Sequence, residues 1–192
     1  MWLTSNPSFL DPVVRDLFSP EECDRLVATA EESGAWSPAA VFGEEGGVSI
    51  EPGVRSVLRS SIDGTERDWP LNVLIDAVAE INDEVHRYVL EAIPGTDRPS
   101  ILRYDAETAD HYRTHADAGS GMPTRKLTFI VQLSDPSDYA GCDLVLTGNR
   151  TVGSRAHGAL IVFPSYQYHH VTPVISGRRY AIVGWVHGPT FA

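Results

Sequence analysis

Thiols are scarce in this chain. Only Cys23 and Cys142 carry them in 192 residues, too far apart in sequence for a disulfide framework or a thiolate metal site. Two reduced thiols are the expectation. Long apolar runs are missing too. No stretch approaches the roughly 18 apolar residues that span a bilayer. The start, Met1-Trp2-Leu3-Thr4-Ser5-Asn6-Pro7, lacks the basic-then-apolar order of a secretory signal. A soluble, cytoplasmic protein with no membrane partner is therefore expected. Positive charge is in short supply: 15 Lys and Arg against 26 Asp and Glu leave a net charge of −11 with His neutral. Such a surface repels phosphate backbones and argues against a nucleic-acid partner. It would suit a cationic substrate, although acidity more often serves solubility alone. No repeat, low-complexity tract or linker interrupts the sequence. With 42% hydrophobic and 21% charged residues, residues 1–192 are expected to form one domain with a real core.

Up to about residue 95 the pattern reads as helical support. Ser19-Pro20-Glu21-Glu22 combines a hydroxyl N-cap, a proline in the first turn and early acids, which predicts a helix from Pro20 to about Ser33. Cys23, Leu26, Val27 and Ala30 would form its buried face, and Gly34 would end it. A second helix is predicted from about Leu71 to Ala92, where Leu74, Ile75, Val78, Ile81, Val85, Tyr88 and Val89 recur at helical spacing. Between the two, Phe42 to Gly53 is too rich in Gly and Glu for a regular element. It reads equally as a surface loop or as a lid over a site. Trp36 and Trp69 read as core or edge packing.

From about residue 98 to 188 the pattern changes to strands: Ser100–Tyr104, Leu127–Ser134, Asp143–Leu146, Ala159–Pro164, Tyr168–Val174 and Arg179–His187. Turn signals at Asp135-Pro136, Gly148-Asn149 and Ser176-Gly177 separate several of them. Short strands without helices between them predict a mainly β protein, a jelly roll with the helices packed outside.

This half holds His115-Ala116-Asp117. In an extended segment residues i and i+2 point the same way, so the imidazole and the carboxylate can reach one ion. Two His and one carboxylate leave three coordination positions open, the facial arrangement of non-haem iron(II) oxygenases. The motif needs a distant third ligand. His157, His169, His170 and His187 are available. His157 precedes a turn-like glycine, and His187 closes the last strand. Of His169 and His170 only one can face inward, and spacing does not choose between them.

His169 to Tyr180 resembles the second signature of the prolyl-4-hydroxylase-like Fe(II)/2-oxoglutarate-dependent dioxygenases: His, three residues, Pro-Val, then Gly-x-Arg or Gly-x-Lys. Tyr112 to Asp117 resembles the first signature. Arg125 to Pro136, Phe163-Pro164-Ser165 and the helix start at Leu17 to Cys23 resemble further family segments, so the likeness extends over nearly the whole chain. The resemblance implies a double-stranded β-helix, Fe(II) held by His115, Asp117 and His169, and 2-oxoglutarate and O2 as co-substrates. It makes Arg179 the anchor for the 2-oxoglutarate carboxylate, with Arg178 pointing away. Thr128, Gln132 and Tyr104 would help to hold the co-substrate.

The implied reaction couples decarboxylation of 2-oxoglutarate, releasing succinate and CO2, to hydroxylation of an unactivated C–H bond. Asp117 favours hydroxylation, since related halogenases lack this carboxylate. The chain departs from the family in having Gly141-Cys142 where Gly-Gly is frequent, and Arg179 where collagen-type enzymes have Lys. The expected substrate is a small amino-acid-like molecule or a peptide, for example at a prolyl side chain. Arg55 and Arg59 are candidates to line the pocket mouth and bind a substrate carboxylate, or else are merely exposed arginines. Two other classes share the ligand set: a zinc-dependent hydrolase or isomerase, and a non-enzymatic jelly-roll binding module. The sequence says nothing of oligomeric state.

Overall fold

The chain enters the fold through β1 (Val13–Asp16) and turns into α1 (Pro20–Ser33). The computed structural model describes residues 11–42, 47–62, 68–119, 121–148 and 151–190. Ser19 caps α1 as expected. Its hydroxyl accepts the Glu22 N–H at 3.3 Å, and the Glu22 carboxylate accepts the Ser19 N–H at 2.9 Å, a reciprocal capping box. Gly34 ends the helix at φ 60°. Cys23, Leu26 and Ala30 are buried, and Val27 packs beside them.

Five short strands follow: β2 (Ser37–Pro38), β3 (Val41–Phe42), β4 (Val48–Ser49), β5 (Arg55–Ser56) and β6 (Leu58–Ser61). β3 pairs with β4. Residues 43–46 between them lie outside the described residues, and so does the question of a lid there. The half expected to be helical thus also supplies strands, which are too short to show a hydrophobic period of their own.

The second helix differs from its expected span. α2 runs Asp68–Ile81, continues as one π-helical turn over Asn82–His86, and stops at Arg87, φ 56°. The Asn82 side chain ends it: Oδ1 accepts the Tyr88 N–H at 2.9 Å, and Nδ2 donates to the Tyr88 carbonyl at 3.0 Å. These bonds compete with helical continuation. The inward face is Leu74, Val78 and Ile81, whereas Ile75 and Val89 are exposed.

The remaining strands are β7 (Ser100–Asp105), β8 (His111–His115), β9 (Arg125–Gln132), β10 (Tyr139–Gly141), β11 (Leu144–Leu146), β12 (Thr151–Val152), β13 (Ala159–Pro164), β14 (His169–Val171) and β15 (Val174–His187). Among the described residues they build a large sheet ordered β1-β13-β9-β15-β7-β6-β2, with β10 added to β15, and a small sheet ordered β12-β11-β14-β8-β5. The pairings are antiparallel. This is the expected jelly roll. β15 starts five residues earlier than expected because Gly177 (φ 72°) lets it pass β10; a Cβ there would lie 1.9 Å from the Asp138 carbonyl oxygen.

Alternation along the large sheet sorts its side chains. Leu127, Phe129, Val131 and Ile182 face the helices and pack with Leu26, Leu74 and Ile81. Ile130, Ile161, Phe163, Ala181 and Val183 face the small sheet and pack with Leu144, Leu146 and Val171. Both faces are buried, so the strands read as continuous apolar runs. Trp69 meets Phe18 edge-on, and Trp36 packs against Tyr180, in the packing roles expected of them. Cys23 and Cys142 are both free and buried. Burial pushes the Cys23 thiol up to about 12, which leaves it unreactive.

Candidate metal centre

β8 and β14 are neighbours in the small sheet, and their register sets His169 directly opposite His115. Asp117 follows β8 by two residues. Its backbone N–H donates to the Ser165 carbonyl at 2.9 Å, which turns the chain toward β9. One ligand atom from each of the three residues lies within 4.8 Å of the other two. His115 Nε2 is 3.4 Å from Asp117 Oδ1, and His169 Nε2 is 3.5 Å from Asp117 Oδ2.

Each histidine is oriented by its own strand. His115 Nδ1 lies 2.8 Å from the Arg113 carbonyl, and His169 Nδ1 lies 3.0 Å from the Gln167 carbonyl. A carbonyl only accepts, so Nδ1 carries the proton and the Nε2 lone pair faces the common point. Burial pushes the His169 pKa down to about 4, so it is a neutral ligand at pH 7. Burial would raise the Asp117 pKa, but the facing His169 and His115 and a 2.7 Å bond from the Thr128 hydroxyl hold it well below the usual carboxylate range. Two imidazole nitrogens with free lone pairs and one ionised carboxylate fit a divalent transition metal.

His170 lines an open groove on the outer side of the small sheet instead. His187 caps its strand, bonded to Asp97 and Thr124. His157 does not join the cluster.

Arg179 projects from β15 into the same cavity as the three ligands. It is 1% exposed. Its Nε donates to Gln132 Oε1 at 2.9 Å, Nη1 lies 3.7 Å from Cys142 Sγ, and the guanidinium sits 5.3 Å from the Tyr104 ring centroid. None of these partners is a carboxylate. A buried cation held only by neutral groups fits an anionic ligand entering the cavity. Arg178, the next residue, points outward and pairs with Asp105 at 2.5 Å. Tyr104 lines the cavity.

Thr128 and Gln132 stand one step further back than expected. The Thr128 hydroxyl is committed to Asp117 and Ser165, and the Gln132 amide bridges Arg179 and the Ser154 carbonyl at 2.9 Å. Neither lines the cavity. Their bonds fix the Asp117 carboxylate and the Arg179 guanidinium. Arg55 does line the cavity; Arg59 is exposed and lines neither it nor the adjoining groove, a correction to the sequence expectation. Arg59 sits on β6 in the large sheet, whereas Arg55 sits on β5 in the small one.

Sequence reasoning assigned no role to Tyr112, Arg125 or Trp185. The Tyr112 ring stacks on His115 with centroids 3.6 Å apart. Arg125 lies 3.6 Å over the Trp185 ring and is bound by both Asp97 oxygens at 2.8 Å. The spacing of Tyr112 before His115 was visible, but the Asp97–Arg125 pairing is not local and left no sequence signal.

A jelly roll whose mouth presents two imidazoles and one carboxylate to one point defines a mononuclear metal-centred β-helix protein. Residues 99–187 match the sequence profile of the 2OG-Fe(II) oxygenase superfamily. The matched segment carries His115, Asp117, His169 and Arg179, so this part of the chain is similar to that superfamily in sequence as well as in its ligand set. It is 40% identical over 91 residues to a PKHD-type hydroxylase of Synechococcus sp. (strain CC9902), covering 45% of this chain and 40% of that protein. The chain thus spans well under two thirds of that relative's length. The fold resembles a Pseudomonas putida prolyl-4-hydroxylase with TM-score 0.73 at 20% identity, covering 93% of this chain and 94% of that one. It also resembles a Trichoplax adhaerens prolyl hydroxylase in complex with a hypoxia inducible factor oxygen degradation domain peptide fragment, with TM-score 0.72 at 20% identity, covering 92% and 83%. Among the described residues no helix is long and apolar enough to cross a membrane.

Proposed function

We propose that this chain is an Fe(II)/2-oxoglutarate-dependent dioxygenase that hydroxylates an unactivated C–H bond of a peptidyl side chain, prolyl in type, or of an amino-acid-like molecule. The observation that carries the reading is one cavity that combines His115, Asp117 and His169 with the buried, carboxylate-free Arg179. When bound, Fe(II) would couple oxidative decarboxylation of 2-oxoglutarate to insertion of one oxygen atom from O2 into the substrate. His115 and His169 would supply Nε2 ligands locked by their Nδ1–H bonds, and Asp117 the anionic ligand held by Thr128. Arg179 would grip the distal carboxylate of 2-oxoglutarate through its remaining N–H groups, with Gln132 fixing its Nε. The apolar inner wall of Leu102, Ile130, Leu144 and Val183 keeps water from the reacting centre. A zinc hydrolase or isomerase would leave Arg179 without a purpose. A degenerate binding module would lack a ligand, and all three are present.

The test is anaerobic titration with Fe(II) and 2-oxoglutarate. A weak visible charge-transfer band is expected, absent in Arg179→Ala. Aerobic incubation with substrate candidates should then add one oxygen by mass, and Asp117→Ala should abolish that gain. Absence of the band in the wild-type protein would sink the reading.

A further inference from the structure

Arg55 sits on β5, the edge strand of the small sheet, opposite Tyr112 of β8. Its guanidinium lies 4.6 Å over the Tyr112 ring, and that ring lies on His115. A column of three stacked groups therefore leads from the metal ligand to a cation. β5 is pinned beside it: the Ser56 hydroxyl bonds Asp110 at 2.5 Å, and the Arg113 N–H donates to the Val54 carbonyl at 2.9 Å. Arg55 Nη1 donates to the Ala40 carbonyl at 2.9 Å, while Nε is buried with no acceptor. No carboxylate pairs with Arg55 among the described residues, in a chain of net charge −11.

The charges of the cavity point to what is missing. Its charged lining side chains are Asp117, Arg179 and Arg55. On the Fe(II)/2-oxoglutarate reading, the metal dication and the 2-oxoglutarate dianion cancel, and Asp117 cancels Arg179. One positive charge is left over, on Arg55, which is half-buried where the cavity meets the adjoining groove. A cation placed there without a carboxylate partner attracts an anion entering the cavity. We propose that Arg55 is a substrate-binding residue that takes a carboxylate of the substrate, so that the substrate residue is a free amino acid or the C-terminal residue of a peptide. The fork of its unused N–H groups suits a carboxylate better than a neutral carbonyl. The stack on Tyr112 holds that fork a fixed way from the metal, so the anchored acid presents its side chain to the reacting side.

This rests on the function proposed above, and the experiment separates the two. The full chain, loaded with Zn(II) and 2-oxoglutarate so that nothing turns over, is titrated by calorimetry. The probes are the proteinogenic L-amino acids, their N-acetyl derivatives, and the carboxamide of each. Expected is binding by at least one acid, with its carboxamide roughly tenfold or more weaker. Arg55→Met, which keeps the stack on Tyr112, should erase the acid–amide difference, and Arg55→Lys should keep part of it. Binding by free amino acids alone would identify the source as a metabolite; binding by N-acetyl acids as well would identify a peptide C-terminus. An amide that binds as tightly as its acid, an Arg55→Met variant with the preference intact, or no acid that binds would overturn the proposal. The anaerobic Fe(II)/2-oxoglutarate band, recorded on the same preparations, should persist in Arg55→Met. Its absence in the wild type would instead overturn the underlying function.

Discussion

His115 and His169 face each other across one rung of the β8–β14 ladder, with ring centroids 4.2 Å apart. Each donates Nδ1–H to the carbonyl two residues before it. Two ligands from distant parts of the chain thus share one local solution: the extended backbone that carries the imidazole also fixes its tautomer. The third ligand is fixed differently, by a side chain from the opposite sheet.

That side chain is Thr128, whose hydroxyl donates to Asp117 Oδ2 at 2.7 Å. Thr128→Val keeps the shape and removes the donor. Metal affinity should fall about 10- to 100-fold, as for other groups that orient a ligand, and Thr128→Ser should restore most of it. Anaerobic Fe(II) or Mn(II) titration measures this. An unchanged affinity in the valine variant would show that Asp117 needs no such support.

Gln132 acts on the other charged group. Gln132→Leu leaves the Arg179 Nε–H, fully buried, without its acceptor. Stability should drop by about 1–3 kcal/mol, the cost of an unsatisfied buried donor. The KM for 2-oxoglutarate should rise about tenfold with kcat little changed, since the anchor contributes to binding before and during reaction alike. Steady-state kinetics at varied 2-oxoglutarate checks the split; a fall in kcat with constant KM would contradict it.

Asp97 and Arg125 form a bidentate pair, largely buried, that also receives His187. Asp97→Ala should cost about 3–5 kcal/mol, the range for breaking a buried pair from one side. Arg15 and Glu84 pair on the surface, and Arg15→Ala should cost less than about 1 kcal/mol. Urea denaturation of both variants measures the contrast, and equal losses would refute it.

Glu31 ties α1 to the sheet by accepting from the Tyr180 hydroxyl at 2.7 Å and from Arg103 at 3.2 Å. Burial works to raise its pKa, but these donors outweigh it and hold the carboxyl below its ordinary value. A lowered folded pKa means the unfolded chain takes up the proton first as pH falls. The stability that Glu31 brings is then complete above its ordinary value of about 4.3 and lost below it. The stability difference between wild type and Glu31→Gln should be flat from pH 7 to about 5 and shrink below about 4. A difference that grew with acid would reverse the sign and the assignment.

Much of this was legible in the chain itself. The capping residues Ser19 and Glu22 and the terminator Gly34 act through neighbours a few positions away, so α1 falls where expected. His115 and Asp117 share a face because extended backbone repeats every two residues. α2 was overrun because Asn82 ends it through a side chain, a competitor that the hydrophobic period does not register. Arg59 was placed at the pocket because sequence nearness to Arg55 stood in for geometry. Arg55 lies on the small sheet and Arg59 on the large one.

By itself, then, the sequence determined the β-rich class, the caps of the first helix and the shared face of His115 and Asp117, and its family motif pointed to His169 and Arg179. It did so through local backbone preference, side-chain period and motif. Only the tertiary structure decided which way His169 and His170 face, that Thr128 and Gln132 bond to Asp117 and Arg179, and that Arg55 lines the cavity whereas Arg59 does not. The physical reason is one and the same. A pleated strand settles which side chains share a side, but not which side is covered, and that depends on contacts between residues far apart along the chain.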